Sequence, residues 1–391
     1  MNILYGFSNC SDRKYGEIFS GKKVAVLQPD QKYHGLLIKG LSKCGEKVTC
    51  LSGLPINRNV TKKLFIREKD ETEDGVFYHY YNTINFPVLR QLGIYLKARR
   101  SLKKFYAHGE KTVILCDCLN IANSYGLVSA AKKRKIPVVM IVTDLPEFMS
   151  GGTTRKINEK LFALADGFIF LTEQMNAKVN KLNKPYIVLE GHSDSSIVPI
   201  ERKNREEYKT GKKTVIYAGS IVKLYGIKNL VEGFIKANII DAELKIFGDG
   251  DYREELTETA KNHKNVLYMG IKSNGEIVDE EKKAALLVNP RPSDPEYTKY
   301  SFPSKNMEYM ASATPVLTTV LPGMPKEYLD YVFTIKNETA EGIAEALKEV
   351  LSLSKEIRYD LGDKAAKFVK ENKSNVIQAK KIKKFLEEEI C

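Results

Sequence analysis

Arg291, Ser304, Lys305 and Glu308 fall in one short stretch and offer two cations, a hydroxyl and a carboxylate. Such a set suits a ligand with phosphates and sugar hydroxyls: the cations and the serine address phosphate oxygens, and the carboxylate accepts O–H donors. Arg291 sits in the proline-rich Asn289-Pro-Arg-Pro-Ser-Asp294, which follows an apolar run, Ala284 to Val288. The others open Ser301-Phe-Pro-Ser-Lys-Asn-Met-Glu-Tyr-Met-Ala-Ser-Ala-Thr-Pro-Val-Leu317. Pro303 fits a first helical turn, where its fixed φ helps and its missing N–H is not needed. Ser301 is placed to cap that helix. Met307, Met310 and Ala311 keep the spacing of a buried stripe, while Ser304, Lys305 and Glu308 share the other side. The positive end of the helix adds to the attraction for phosphate. An ordinary amphipathic helix with a solvated Lys305–Glu308 pair is the plain alternative. The Arg291 loop upstream and the buried strand Pro315-Val-Leu-Thr-Thr319 downstream make the combination rarer than that.

A second feature is Ala218-Gly219-Ser220-Ile-Val-Lys223-Leu-Tyr225-Gly226, after the strand Val215–Tyr217 and before a helix that includes Asn229–Phe234. Small residues in such a turn let backbone amides approach a diphosphate; a plain strand-to-helix turn is the alternative. Gly248-Asp-Gly-Asp251 follows Leu244–Phe247 and reads as a turn. Asp144 ends the buried strand Val138–Thr143, and Glu190-Gly-His-Ser-Asp194 reads as a hinge. His34 reads as a lone surface histidine in a loop ahead of a helix.

These groups need a frame, and the chain supplies a repeating one. After an opening strand at Met1–Tyr5, short apolar runs at Val24–Leu27, Val48–Leu51, Val113–Asp117, Val138–Thr143 and Gly167–Leu171 alternate with helical patterns such as Leu36–Cys44 and Asn123–Lys133. The pattern restarts at Val215–Tyr217, Leu244–Phe247, Val266–Tyr268, Ala285–Val288 and Val316–Thr319. Strand–helix alternation argues for parallel sheets covered on both faces. The expected fold class is α/β, with two doubly wound Rossmann-like domains facing across a cleft and ligands beyond the strand ends. Ser193 to Lys213, polar and charged, reads as the linker.

The 391 residues suffice for two cores. No run is long and apolar enough for a membrane span and no signal-peptide core opens the chain, so the expected location is cytoplasmic, peripheral on the inner membrane face at most. Six cysteines without metal spacing read as packing thiols in a reducing compartment. Residues 1–194 have 30 Lys+Arg against 18 Asp+Glu, so they hold nearly all of the net +13. Such a charge serves nucleic acid, an anionic membrane or a phosphorylated substrate. Nucleic acid is excluded, because no aromatic–basic stacking platform accompanies the charge. In Phe86–Tyr106, Leu89, Leu92 and Leu96 form an apolar stripe, and Arg90, Lys97, Arg100 and Lys104 a basic face. We read this as a packed helix with a solvated basic side; contact with an anionic membrane is the alternative.

The Asn289–Leu317 pattern resembles the donor-binding segment of retaining glycosyltransferases of family 4, of the bacterial polysaccharide-biosynthesis type, which have the GT-B fold. The resemblance implies an N-terminal acceptor-binding domain, 1–194, a C-terminal nucleotide-sugar-binding domain, 195–370, and a helix, 371–391, packing back on the first. It further implies transfer of a sugar from a nucleotide-diphosphate sugar, by default a UDP-sugar, to a glycan or lipid-linked acceptor in cell-surface polysaccharide synthesis, with no metal and no cofactor. The roles implied are Arg291 and Lys305 on the departing diphosphate, with Lys223 in reserve, and Ser220 and Ser304 on phosphate oxygens. Glu308 would take the ribose, Gly219 and Gly270 backbone contacts to the donor, and Asp144 the point where many relatives have histidine. Two departures stand out. Ser220 and Tyr225 occupy positions where the family usually has Arg and Lys, and Tyr300 replaces the first of two glutamates. A catalytically silent partner of another glycosyltransferase is the alternative those departures allow. Nucleotide-sugar epimerisation is a weaker one, because it wants acid/base groups that five histidines, few of them near strand ends, do not supply.

Overall fold

The computed structural model describes residues 1–19, 28–106, 109–149 and 155–391; the expected strand Val24–Leu27 lies outside them. The chain divides into two compact units, residues 1–192 with 375–391, and residues 193–374.

In the first unit the strands are β1 (Asn2–Gly6), β2 (Lys47–Ser52), β3 (Phe65–Ile66), β4 (Glu71–Glu73), β5 (Val76–Tyr80), β6 (Thr83–Ile84), β7 (Thr112–Asp117), β8 (Val138–Val142), β9 (Gly167–Phe170) and β10 (Tyr186–Val188). Eight form one sheet in the order β10-β9-β8-β7-β1-β2-β5-β4, and β3 with β6 makes a separate two-stranded ribbon. All neighbours in the large sheet are parallel except β4 and β5. Every residue of β7 and β8 is buried, as a sheet with helices on both faces requires. Helix Asn375–Phe385 packs on helix Gln28–Lys43 within this unit.

The second unit holds β11 (Lys213–Ala218), β12 (Ala242–Phe247), β13 (Val266–Gly270), β14 (Leu286–Asn289), β15 (Val316–Thr319) and β16 (Phe333–Ile335). They form a wholly parallel sheet in the order β13-β12-β11-β14-β15-β16. Strand order reverses between β11 and β14 here, and between β1 and β7 in the first unit. Loops leaving those strands diverge at their carboxyl ends and open a crevice.

The polar stretch read as a linker starts at the boundary between the two units, but its Arg205 and Glu207 are anchored in the second unit. Arg205 is fully buried and donates to Lys282 O at 2.9 Å, Thr314 Oγ1 at 2.8 Å and Ala313 O at 3.0 Å. Glu207 is buried against Arg358. Local charge suggests solvent, but these groups satisfy carbonyls and a carboxylate remote in sequence. Among the described residues no helix is long and apolar enough to cross a membrane.

Candidate functional site

At the reversal point of the second unit, helix Ser304–Ala311 is locked by its buried face. The Tyr309 hydroxyl accepts from Ala218 N at 2.9 Å and donates to Ala218 O at 3.3 Å, which fixes the end of β11. Asn306 accepts from Asn289 Nδ2 at 2.8 Å and donates to Thr318 Oγ1 at 3.2 Å, tying β14 to β15. Met307, Met310 and Ala311 are buried as their spacing predicts. The cap differs from expectation. Pro303 holds the N-cap position without a side-chain hydrogen bond, and Ser301 Oγ is buried with no partner among the described residues. Ser301 instead ends the preceding turn Glu296–Tyr300. The first-turn amides therefore have no side-chain cap.

Lys305 reaches from this helix over the backbone of Gly219. A Cβ on Gly219 would stand 1.7 Å from Lys305 Nζ, and the residue's φ of +147° also favours glycine. The ammonium donates to the Tyr217 hydroxyl at 2.8 Å and stands 4.3 Å from that ring's centre; Tyr217 donates onward to Ser220 O at 2.8 Å. Burial, then repulsion from Arg291, push the Lys305 ammonium down to about 7.

Arg291 is clasped between two tyrosines, its guanidinium 4.6 Å from the Tyr225 ring centre and 5.1 Å from that of Tyr297. Its Nε and the Tyr297 hydroxyl are buried without a partner among the described residues. Gly226 permits the clasp: a Cβ there would lie 2.1 Å from Pro290 O. Among the described residues neither Arg291 nor Lys305 is in an ion pair. The buried Glu281 carboxylate acts on Lys305 only at a distance, so two neighbouring cations without a direct ion pair offer a candidate site for an anion.

The remaining candidates divide. Ser220 and Ser304 are exposed, on the Gly219 loop and at the first helical position; Glu308 is half-buried one turn further on. Gly270 ends β13 with φ +69°, its carbonyl accepting from Gly248 N at 2.8 Å. Gly248-Asp-Gly-Asp251 is a turn, and it also buttresses the Gly219 loop: Ile221 N donates to Asp249 O at 2.9 Å. Lys223 leads elsewhere, pairing with Glu255 at 2.6 Å on the exposed side. Sequence reasoning missed Tyr217, Tyr297, Asn306 and Tyr309. The available signal was aromatic residues bracketing each cation-bearing segment.

Residues 200–389 match the family model for glycosyl transferases, group 1. No curated protein sequence matches the chain. Sucrose-phosphate synthase from Thermosynechococcus elongatus superposes with a TM-score of 0.69 at 14% identity, covering 99% of both chains. Anabaena HepE in complex with UDP gives 0.68 at 12% identity, over 99% of this chain and 100% of that one. The lipopolysaccharide outer core galactosyltransferase WaaB, in its apo form, gives 0.60 at 13%, covering 99% of both. The fold is GT-B.

In the first GT-B unit, Asp144 follows β8 half-buried, and its carbonyl accepts the Cys118 thiol at 3.6 Å. His34 is not a surface residue of a loop. It lies inside helix Gln28–Lys43, 1% exposed, with Nδ1 2.6 Å from the Tyr5 hydroxyl and Nε2 3.4 Å from Asp117 Oδ2. Its ring stacks on Phe7 with centres 3.6 Å apart. Asp117, the last residue of β7, also accepts from Leu119 N at 2.6 Å and Thr143 Oγ1 at 3.4 Å. A cavity of about 450 Å³ in this unit lies among Leu145, Phe162, Phe168, Lys178 and Lys184, and no candidate residue lines it.

Proposed function

We propose that the protein is a retaining glycosyltransferase that moves a sugar from a nucleotide-diphosphate sugar, a UDP-sugar by default, to a glycan or lipid-linked acceptor in cell-surface polysaccharide synthesis. The observation that carries this reading is the pair Lys305 and Arg291, unpaired by carboxylates and poised beside the Gly219 backbone and the uncapped helix start. The family match over residues 200–389 and the UDP bound by HepE in the same fold support the choice of ligand.

The donor diphosphate lies against Gly219, Ser220 and Ser304, where backbone and hydroxyl donors meet it. Glu308 accepts the ribose hydroxyls, and the backbone at Gly270 borders the base. The bond from the anomeric carbon to the phosphate oxygen breaks as the acceptor oxygen bonds on the same face. The acceptor proton passes to the departing diphosphate. Negative charge grows on that diphosphate, and Lys305 and Arg291 stabilise it more in the transition state than in the ground state. They do so in place of a metal ion. Asp144 is proposed to face the transferred sugar. Tyr225, standing where the family usually has a lysine, contributes by holding Arg291 rather than by charge.

A second reading, a catalytically silent sugar-nucleotide-binding partner, is favoured by one observation: Lys223, the remaining loop cation, is held by Glu255. A panel of nucleotide sugars separates the two, with binding and slow donor hydrolysis measured with and without chelator and with membrane extract as acceptor. The transferase reading expects turnover that survives chelation. Binding without turnover would establish the silent partner, and turnover lost to chelator would sink the metal-free chemistry.

A further inference from the structure

Helix Pro87–Phe105 packs by a face other than its leucine stripe, along Ile94, Ala98 and Leu102 at four-residue steps. Ile94, Ala98, Ser101 and Leu102 are buried, with Ala98 close against Gly126 of helix Ile121–Lys132. The apolar stripe faces outward: Val88 is 73% exposed, Leu89 48%, Leu92 52% and Leu96 41%. The helix is packed, as read from sequence, but the leucine stripe is not its packed face and covers no core.

The two-stranded ribbon extends the same surface. Phe65, opposite Ile84 across the ribbon, is 54% exposed. Ribbon and helix start are pinned together: Asn85 N donates to Leu64 O at 2.7 Å, and Arg90 Nη2 to Leu54 O at 2.7 Å. The apolar side chains thus stand on fixed backbone.

Charge surrounds them. Arg58 to Arg67 and Pro87 to Phe105 contain no Asp or Glu. Arg58, Lys62, Lys63, Arg67 and Arg100 are exposed, and none is in an ion pair among the described residues. A second copy of the chain is a poor occupant, because its own unpaired cations would meet these. An anionic bilayer answers both features, since it takes the apolar side chains at the acyl boundary and the cations among its phosphates.

We infer that this face, the outward stripe of helix Pro87–Phe105 with the Phe65–Ile84 ribbon, docks the protein on an anionic phospholipid membrane. The inference does not depend on the donor reading. Flotation with vesicles of phosphatidylglycerol and phosphatidylcholine in equal parts tests it, with pure phosphatidylcholine as control. The protein should float with the anionic vesicles, be released by salt, and ignore the neutral ones. The double variant L89S/L92S should lose binding about tenfold or more, as should K62E/K63E at low salt. Both should keep the parent's circular dichroism, melting temperature and nucleotide affinity, because these side chains are exposed. Three results would overturn the proposal: no flotation of the parent, L89S/L92S floating as well as the parent, or a dimeric parent that L89S/L92S turns monomeric while vesicle binding persists.

Discussion

The two units carry polar side chains at equivalent places, the carboxyl ends of strands where the sheet order reverses, but they satisfy them differently. In the first unit Tyr5, His34 and Asp117 are buried and bonded to one another or to nearby backbone. In the second, Arg291 and Lys305 rest on tyrosine rings and have no carboxylate partner among the described residues. A closed network holds structure, whereas an unpaired pair of cations leaves its stabilisation to a ligand. On the proposed function, the same architecture is filled once for rigidity and once for binding.

Lys305→Met strikes at the open side of this contrast and should have the largest effect. Donor turnover should fall about 100- to 1,000-fold, the scale of losing one transition-state donor, with the fold intact by circular dichroism. Stability should move the other way. An unfolded lysine keeps its proton to about pH 10.4, while Lys305 in the folded protein gives it up near 7. Its burden on the free protein is full below that lower value and is relieved as pH rises toward the upper one. Thermal melts of parent and variant should therefore differ most at acid to neutral pH, with the variant no less stable.

Arg291→Ala should weaken donor binding by about 10- to 100-fold, as loss of a charged hydrogen bond of about 1.5–3 kcal/mol implies. Arg291→Lys should not restore it, because an ammonium cannot reproduce a planar cation between two rings. On the closed side, His34→Ala takes the Tyr5 hydroxyl's buried partner away and leaves Asp117 with only Leu119 N, Thr143 and their neighbours. Denaturant titration should show a loss of about 1–3 kcal/mol, and nucleotide affinity of the folded fraction should stay as in the parent. If His34→Ala instead abolished nucleotide binding in a stable protein, the contrast between the units would fail. Tyr225→Ala should have the smallest effect, a loss of donor affinity of about three- to tenfold, in line with a cation–π contact of about 0.5–1 kcal/mol or somewhat more.

How much of this was legible follows the range of each interaction. Strands such as Val138–Val142 announce themselves by an unbroken apolar run, and Met307, Met310 and Ala311 by spacing, because burial there is a local property. Arg291 and Lys305 were readable because both flank elements identifiable by their own pattern. His34 was not, since its partners Tyr5 and Asp117 come from other strands and a polar residue in a short segment looks solvated. The outward turn of Leu89, Leu92 and Leu96 was hidden for another reason. Periodicity finds an amphipathic face, but small residues such as Ala98 and Ser101 decide which face approaches Gly126. Ser301 shows a third limit: a serine before a helix fits a cap, yet this one ends the turn Glu296–Tyr300 and stands two residues short of the cap position held by Pro303.

The central claim is that Lys305 and Arg291 await a diphosphate. Titration calorimetry with UDP at pH 8, in buffers of differing ionisation heat, tests it most directly. A Lys305 ammonium lowered to about 7 in the free protein is largely neutral at that pH and must regain its proton when the diphosphate arrives. The account predicts uptake of nearly one proton per UDP bound, affinity that weakens up to tenfold per pH unit above 7, and loss of the proton signal in Lys305→Met. Tight UDP binding with no proton uptake in the parent would contradict it.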